Sequence, residues 1–351
     1  RILVLLAVVS FVACENQPYE PAEHAEAAFA KGGKPGKPDG GGEDPGPPEV
    51  TILFDHYPGQ NLSYSIHGMD RSGSYSLLLD PADETDISSI APRWAPDGVH
   101  FVYERGIDAT GTREVVIGNV DGTITPIFAG GWGLKPDWSP APLADGHERI
   151  AFLQAKDVYV MKLDGSEIYR LTTGLEVEQL IWSRDGSQIL GAVRDSHLEP
   201  DGSHLELFDV TCDDSTTLPA CRVTGSTPLD LSASGISQYD FFGSLDWAHE
   251  SDRVLVQYVE AGFGLRELGI LDLGGAPTFT FLTDNPGGQA YNGAWSWDDS
   301  EVVYVKWPIG KRSGAGIMIR DVLTGDETQI FDGDASFGMD WSPIAPATSV
   351  P

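Results

Sequence analysis

The sequence predicts an all-β fold, a six-bladed β-propeller of four-stranded antiparallel blades closed by combining N- and C-terminal strands. Three observations predict it. The chain has 351 residues, too many for one ordinary layered core but well suited to a modular array. Its 41 glycines and 24 prolines leave little room for long helices and favour strands joined by tight turns. Finally, a short pattern centred on tryptophan returns six times along the chain.

The chain opens with Arg1, then an apolar run from Ile2 to Ala13, then Cys14. One positive charge ahead of twelve nearly all-apolar residues reads as a secretory signal, because a helix spanning a bilayer needs about 20. Phe11-Val12-Ala13-Cys14 resembles a bacterial lipobox, in which the cysteine is lipidated and becomes the new N-terminus. Residues 1–14 are therefore read as a signal peptide with a lipobox-like cysteine, and residues 15–49 as a flexible Gly/Pro-rich linker. Between Lys31 and Pro48 there are too few apolar side chains to offset the entropy of ordering the chain. The expected protein is exported and lipid-anchored in the bacterial cell envelope, with its propeller over residues 50–351.

The pattern reads Arg93-Trp94-Ala95-Pro96-Asp97-Gly98, Asp137-Trp138-Ser139-Pro140 and Ile181-Trp182-Ser183-Arg184-Asp185-Gly186. It continues as Asp246-Trp247-Ala248-His249, Ala294-Trp295-Ser296-Trp297-Asp298 and Asp340-Trp341-Ser342-Pro343. The tryptophans are 44, 44, 65, 48 and 46 residues apart, a period that marks a propeller or solenoid. Alternating apolar runs follow the first five, such as Gln188–Val193 and Arg253–Tyr258, with the period of two that belongs to strands. A second turn falls at Gly122, Gly165, Gly274 and Gly325, which come 28, 27, 27 and 30 residues after their tryptophans. Glycine there supplies the positive φ of a tight hairpin. Two turns per period imply four strands, one propeller blade. The repeated indole fits a wedge between neighbouring sheets, since each buries about 150–250 Å².

The ends complete the count. Trp341 comes only ten residues before Pro351, so its blade lacks three strands. Val50–Asp55, Leu62–Met69 and Tyr75–Leu79 precede the first tryptophan turn and supply them. Joining both ends in one blade removes the open sheet edge.

This Trp-Ser-Pro-Asp-Gly repeat resembles the TolB-type propeller repeat of bacterial envelope proteins, over about residues 50–343. The resemblance implies the closed six-bladed ring and a place in the envelope. TolB itself carries an α/β domain ahead of its propeller; in this sequence the Gly/Pro-rich linker stands there. Similar propellers occur in peptidase accessory domains and in lyases, so the resemblance speaks to fold more than to chemistry.

Motifs of catalysis are missing from the sequence. There is no Gly-x-Ser-x-Gly elbow, no phosphate-binding loop and no His-Glu-x-x-His. Acidic residues outnumber basic ones 53 to 22, a net charge of −31, which repels nucleic acids and anionic headgroups. A membrane contact is expected only through the N-terminal lipid. Cys212 and Cys221, nine positions apart in an exported chain, are expected to form a disulfide. They lie in the extra length between Trp182 and Trp247, expected as a long loop at Asp209 to Asp240.

Asp137, Asp246 and Asp340 each precede a repeat tryptophan on the expected inner strand. Converging near the axis, they are candidate ligands for a hard cation such as Ca²⁺, or acceptors for the amides of the following turn. No other cofactor is expected. Resemblance to propeller lyases raises a histidine metal site at the channel, with eight histidines scattered along the chain. Trp132 and Trp307, outside the main register, are candidate ligand-contact aromatics. The leading functional expectation is a non-catalytic, monomeric envelope scaffold that binds protein or glycan through its loops and channel mouth. The alternative is a metal-dependent carbohydrate-active enzyme, lyase-like, with its site at the channel.

Overall fold

A computed structural model describes residues 50–346, apart from 58–62, 75, 81–86, 108–109, 132, 198–200, 214–219, 262–263, 284–287, 308–314 and 334–336. Strands β1 (Ile52–His56), β2 (Ser65–Met69) and β3 (Ser76–Asp80) come first. Blade 2 is β4 (Ile87–Trp94), β5 (His100–Ile107), β6 (Thr112–Asn119) and β7 (Ile124–Gly130). Blade 3 is β8 (Asp137–Trp138), β9 (Arg149–Gln154), β10 (Asp157–Lys162) and β11 (Tyr169–Arg170). Blade 4 is β12 (Val177–Trp182), β13 (Gln188–Asp195), β14 (Gly202–Cys212) and β15 (Cys221–Pro228). Blade 5 is β16 (Phe241–Trp247), β17 (Arg253–Val259), β18 (Arg266–Asp272) and β19 (Thr278–Phe281). Blade 6 is β20 (Gln289–Trp295), β21 (Glu301–Trp307), β22 (Gly316–Asp321) and β23 (Glu327–Asp332).

The last strand, β24 (Met339–Trp341), then pairs with β1, in register Ile52 with Trp341 and Phe54 with Met339. Blade 1 therefore has the order β24-β1-β2-β3, and the ring closes on strands from both ends of the chain as expected. The fold is an all-β, six-bladed propeller of antiparallel four-stranded sheets.

Strand periodicity explains the packing. Along β1, Ile52 and Phe54 enter the core shared with blade 6, while Leu53 between them enters the core shared with blade 2. In β5, Val102 faces blade 3 while Phe101 and Tyr103 face blade 1. Both faces of each blade are buried, giving six cores, one per junction. The repeat tryptophans are the wedges: Trp94 sits in the core with blade 1, Trp138 in that with blade 2, and so on to Trp341 with blade 6. None is more than 8% exposed.

The turns account for the rest of the repeat. In the tryptophan turn of blade 2, Gly98 N–H donates to Ala95 C=O at 3.1 Å, and Asp97 Oδ1 accepts from Val99 and His100 N–H at 2.9 Å. Asp185 and Asp298 accept from Ser187 and Ser300 in the same way. The second turn needs glycine most plainly at Gly165, where φ is +77° and a Cβ would meet Ile127 O of blade 2 at 2.0 Å. Gly274 departs from expectation: its φ is not positive, and its N–H is held instead by Asp272 Oδ1 at 2.9 Å. Strand register places both turns on one face of the ring. In blade 2, Trp94, Phe101, Gly118 and Ile124 lie at one edge, and Ile87, Ile107, Thr112 and Gly130 at the other.

Much of the extra length after Trp182 is strand rather than loop. Strand β14 runs for 11 residues, and Asp209 lies within it. A 3-10 turn at Ser232–Ser234 follows β15. Cys212 and Cys221 stand directly opposite each other and are joined, S–S 2.05 Å, with both side chains buried against blade 3.

Candidate channel site

The innermost strands line the axis, and their positions just before the tryptophans define it. The residue immediately before tryptophan is Arg93, Asp137, Ile181, Asp246, Ala294 and Asp340 in successive blades. Aspartate therefore occurs in every second blade. Each one reaches the next blade: Asp137 Oδ2 accepts Trp182 N–H at 2.7 Å, and Asp246 Oδ2 accepts Trp295 N–H at 2.7 Å. Asp340 Oδ2 accepts Trp94 N–H at 2.6 Å across the closing junction. Each accepts an amide of the neighbouring blade, and Asp340 Oδ1 also accepts Trp341 N–H of its own turn at 3.1 Å. They latch three of the six junctions.

Arg93 stands among them. Its Nη1 donates to Asp246 Oδ1 at 2.7 Å, lies 3.6 Å from Asp340 Oδ1, and its Nη2 donates to Leu245 C=O. Blades 2 and 5 face each other across a six-membered ring, so this arginine spans the channel. Burial pushes the Asp137 and Asp340 carboxyls up to about 7 and that of Asp246 to about 6. Arg93 pulls each down, and the other aspartates oppose it. Burial alone would lower Arg93, but Asp340, Asp246 and Asp137 outweigh it and raise it further.

On the turn face these residues floor an open cavity of about 290 Å³. Trp94, Trp138, Trp182 and Trp247 line it, with Arg184, His249 and Glu250 among the polar residues. Trp138 Nε1 donates to Glu148 at 3.2 Å. The indole N–H groups of Trp94, Trp182 and Trp247, and Nε2 of His249, have no hydrogen-bond partner among the described residues.

Two residues further back, three before each tryptophan, a collar forms from Ala91, Lys135, Gln179, Ser244, Asn292 and Gly338. It surrounds a constriction of about 30 Å³, room for one or two water-sized groups. Ala91, Lys135 and Asn292 have φ of +53°, +43° and +51° there, a left-handed conformation that L-residues seldom adopt and that clusters at functional positions. The adjoining inner strands carry bulges, between Ile90 and Arg93 in β4 and between Tyr291 and Ala294 in β20. Lys135 Nζ lies 5.8 Å from the centre of the Phe337 ring. Burial lowers Lys135 from the usual lysine range; Glu104 and Asp55 resist that, and Arg93 adds to it.

Of the sequence-predicted site residues, Asp137, Asp246 and Asp340 do converge on the axis. Among the described residues, the one group of three metal-ligating atoms within 4.8 Å of one another is Asp145, Cys212 and Cys221. Those two cysteines are bonded to each other. Trp307 packs, half-buried, with Ile330 and Phe331 against the core between blades 6 and 1. Cys14 and Trp132 lie outside the described residues. Sequence reading passed over Arg93 and Lys135, although alignment on the tryptophans places Arg93 in the same register as the three aspartates.

No family model matches this sequence, and neither does any curated protein sequence. Solved structures do resemble it. TolB from Acinetobacter baumannii is 14% identical with a TM-score of 0.63, over 84% of this chain and 67% of that one. A chain of a nidogen/laminin complex is 12% identical with a TM-score of 0.55, over 84% of this chain and 98% of that one. Hydrazine synthase of Kuenenia stuttgartiensis is 11% identical with a TM-score of 0.56, covering 82% of this chain and 45% of that one. At such identities the likeness is one of fold, and the fold is that of a TolB-like six-bladed propeller.

Proposed function

We propose that this protein is a non-catalytic binding module of the cell envelope, exported and tethered through Cys14, which engages a protein or glycan at its loops and channel mouth. One observation carries the reading. The acids and Arg93 at the channel floor hold blades together, while the open cavity of about 290 Å³ above them carries exposed Arg184 and Glu250 and half-buried His249 on its wall. Charged and polar side chains open to solvent in a cavity suit the oxygen-rich surface of a glycan or a peptide backbone.

Affinity capture from native envelope, read by mass spectrometry, tests it with the wild type beside Arg184→Glu/Glu250→Arg. Both residues lie on the cavity wall and are at least partly exposed. A partner held by the wild type and released by the equally folded variant supports the reading. Release of unsaturated sugars from an acidic polysaccharide on adding Mn²⁺ or Ca²⁺ would select the lyase-like alternative.

A further inference from the structure

The collar has a feature that the fold does not require. Lys135 carries its ammonium to the constriction, and no ion pair or side-chain hydrogen bond meets it among the described residues. Ser244 Oγ on the same collar is buried and likewise without a partner. A cation at one small gap, and an unpartnered hydroxyl buried in its wall, are donors waiting for an acceptor, and charge-assisted donors favour an anionic one.

Beside the gap stands an aromatic notch. Tyr64 lies 5.1 Å from Tyr57 and 4.9 Å from Phe337, centre to centre, with interplanar angles of 37° and 79°. Tyr57 and Phe337 are 40% and 42% exposed. Asp55, fully buried, fixes the notch to the collar by accepting Phe337 N–H and Ala91 N–H, both at 3.0 Å. The tilted rings make a recess for a side chain and not the flat shelf on which a sugar ring stacks.

We propose that the collar end of the channel binds the free C-terminus of a peptide: its carboxylate enters the constriction to meet Lys135 and Ser244, and its last apolar or aromatic side chain fills the Tyr57–Tyr64–Phe337 notch. Size supports this. About 30 Å³ admits a carboxylate but not a pyranose ring. Spacing supports it too, because a terminal residue holds carboxylate and side chain on one carbon, and Lys135 Nζ is 5.8 Å from the Phe337 ring centre. The net charge of −31 repels the anion at long range, but salt screens that beyond about 10 Å at 0.1 M and leaves the contact to decide. Capture of a C-terminal carboxylate by convergent donors is a known mode of peptide recognition.

The inference rests on the binding reading above, yet concerns the opposite face, so its test fails separately. Titration calorimetry on the full chain compares N-acetyl-Ala-Ala-Phe as the free acid and as its C-terminal amide. The acid is expected to bind at least tenfold more tightly than the amide. Lys135→Met should abolish that difference, and Lys135→Arg should retain part of it. Equal affinity for acid and amide overturns the proposal, as does unchanged binding in Lys135→Met. Methyl glucuronide is the third probe: if it binds in a Lys135-dependent way and the peptide acid does not, the peptide assignment is wrong. Envelope capture that still depends on Arg184 and Glu250 would then leave the broader reading standing.

Discussion

At the turn end of the channel, Arg93 stands among three aspartates that each also hold a neighbouring tryptophan amide. At the collar, two residues earlier on the same strands, Lys135 has an aromatic ring and distant carboxylates but no ion pair among the described residues. Both cations are removed from much of their water. Only one is repaid by contact with opposite charge. The same inner strands thus do two different jobs: the position before each tryptophan fastens the ring, and the position two residues earlier presents groups to the lumen.

The comparison can be broken most forcefully by removing a fastener outright. Deleting residues 338–351 takes away β24, and with it Asp340 and the partner of β1. Loss of cooperative unfolding is expected by calorimetry, whereas deleting residues 15–45 should leave the melting temperature unchanged. Equal tolerance of both deletions would sink the shared-blade closure.

Next in size is Arg93→Ala. It strands buried Asp246 and Asp340 without their cation, and breaking such a group costs about 3–5 kcal/mol. Urea unfolding should show it as a lower midpoint, with the slope unchanged.

The aspartates also give the latch end a pH signature. Asp137 and Asp340 titrate at about 7 and Asp246 at about 6 in the folded chain, against about 3.9 unfolded. Between those values the folded state holds more protons, so these groups make stability fall as pH rises from about 4 to about 7. Carboxylates held low, such as exposed Asp97, where desolvation is outweighed by the N–H groups of His100 and Val99, act below that window and with the opposite sign. His67, lowered by burial and by His56 to about 4, acts with the opposite sign between about 4 and 6.5, but the three aspartates outweigh it, so the protein should melt higher at pH 5.5 than at pH 8. Asp340→Asn keeps an acceptor for Trp94 but should flatten the slope by up to about 1.4 kcal/mol per pH unit.

The smallest effect runs the other way. Lys135→Met keeps the aliphatic stem and removes an ammonium without an ion pair among the described residues, so stability should rise by roughly 1 kcal/mol. A clear loss would mean that Lys135 is a fastener after all, and the contrast between the two ends would collapse.

The blades were legible in the sequence because their signals are local. A tryptophan turn, an aspartate-capped loop and a glycine turn each declare themselves within a few residues, and six repetitions set the architecture. The partner of each aspartate was less legible, since Asp137 meets Trp182 only once two blades stand side by side. Arg93 was harder still, because its reach to Asp246 depends on ring closure bringing blades 2 and 5 opposite each other. Lys135 is defined by what its neighbours lack, and no local pattern reports that. The extra length after Trp182 misled for a different reason: turn-forming residues around the cysteines obscured strands that continue on both sides of the disulfide.

The alternation of aspartate before the tryptophans has a consequence for how such a ring can grow. Blades are joined as couples, 3 with 4, 5 with 6 and 1 with 2, each couple holding one carboxylate-to-amide latch. Duplicating a single blade would set two donors or two acceptors side by side and leave a buried group without its mate. Duplicating a couple would not. The latches impose a parity on the ring, so rings of four or eight blades could inherit this scheme intact, and rings of five or seven could not.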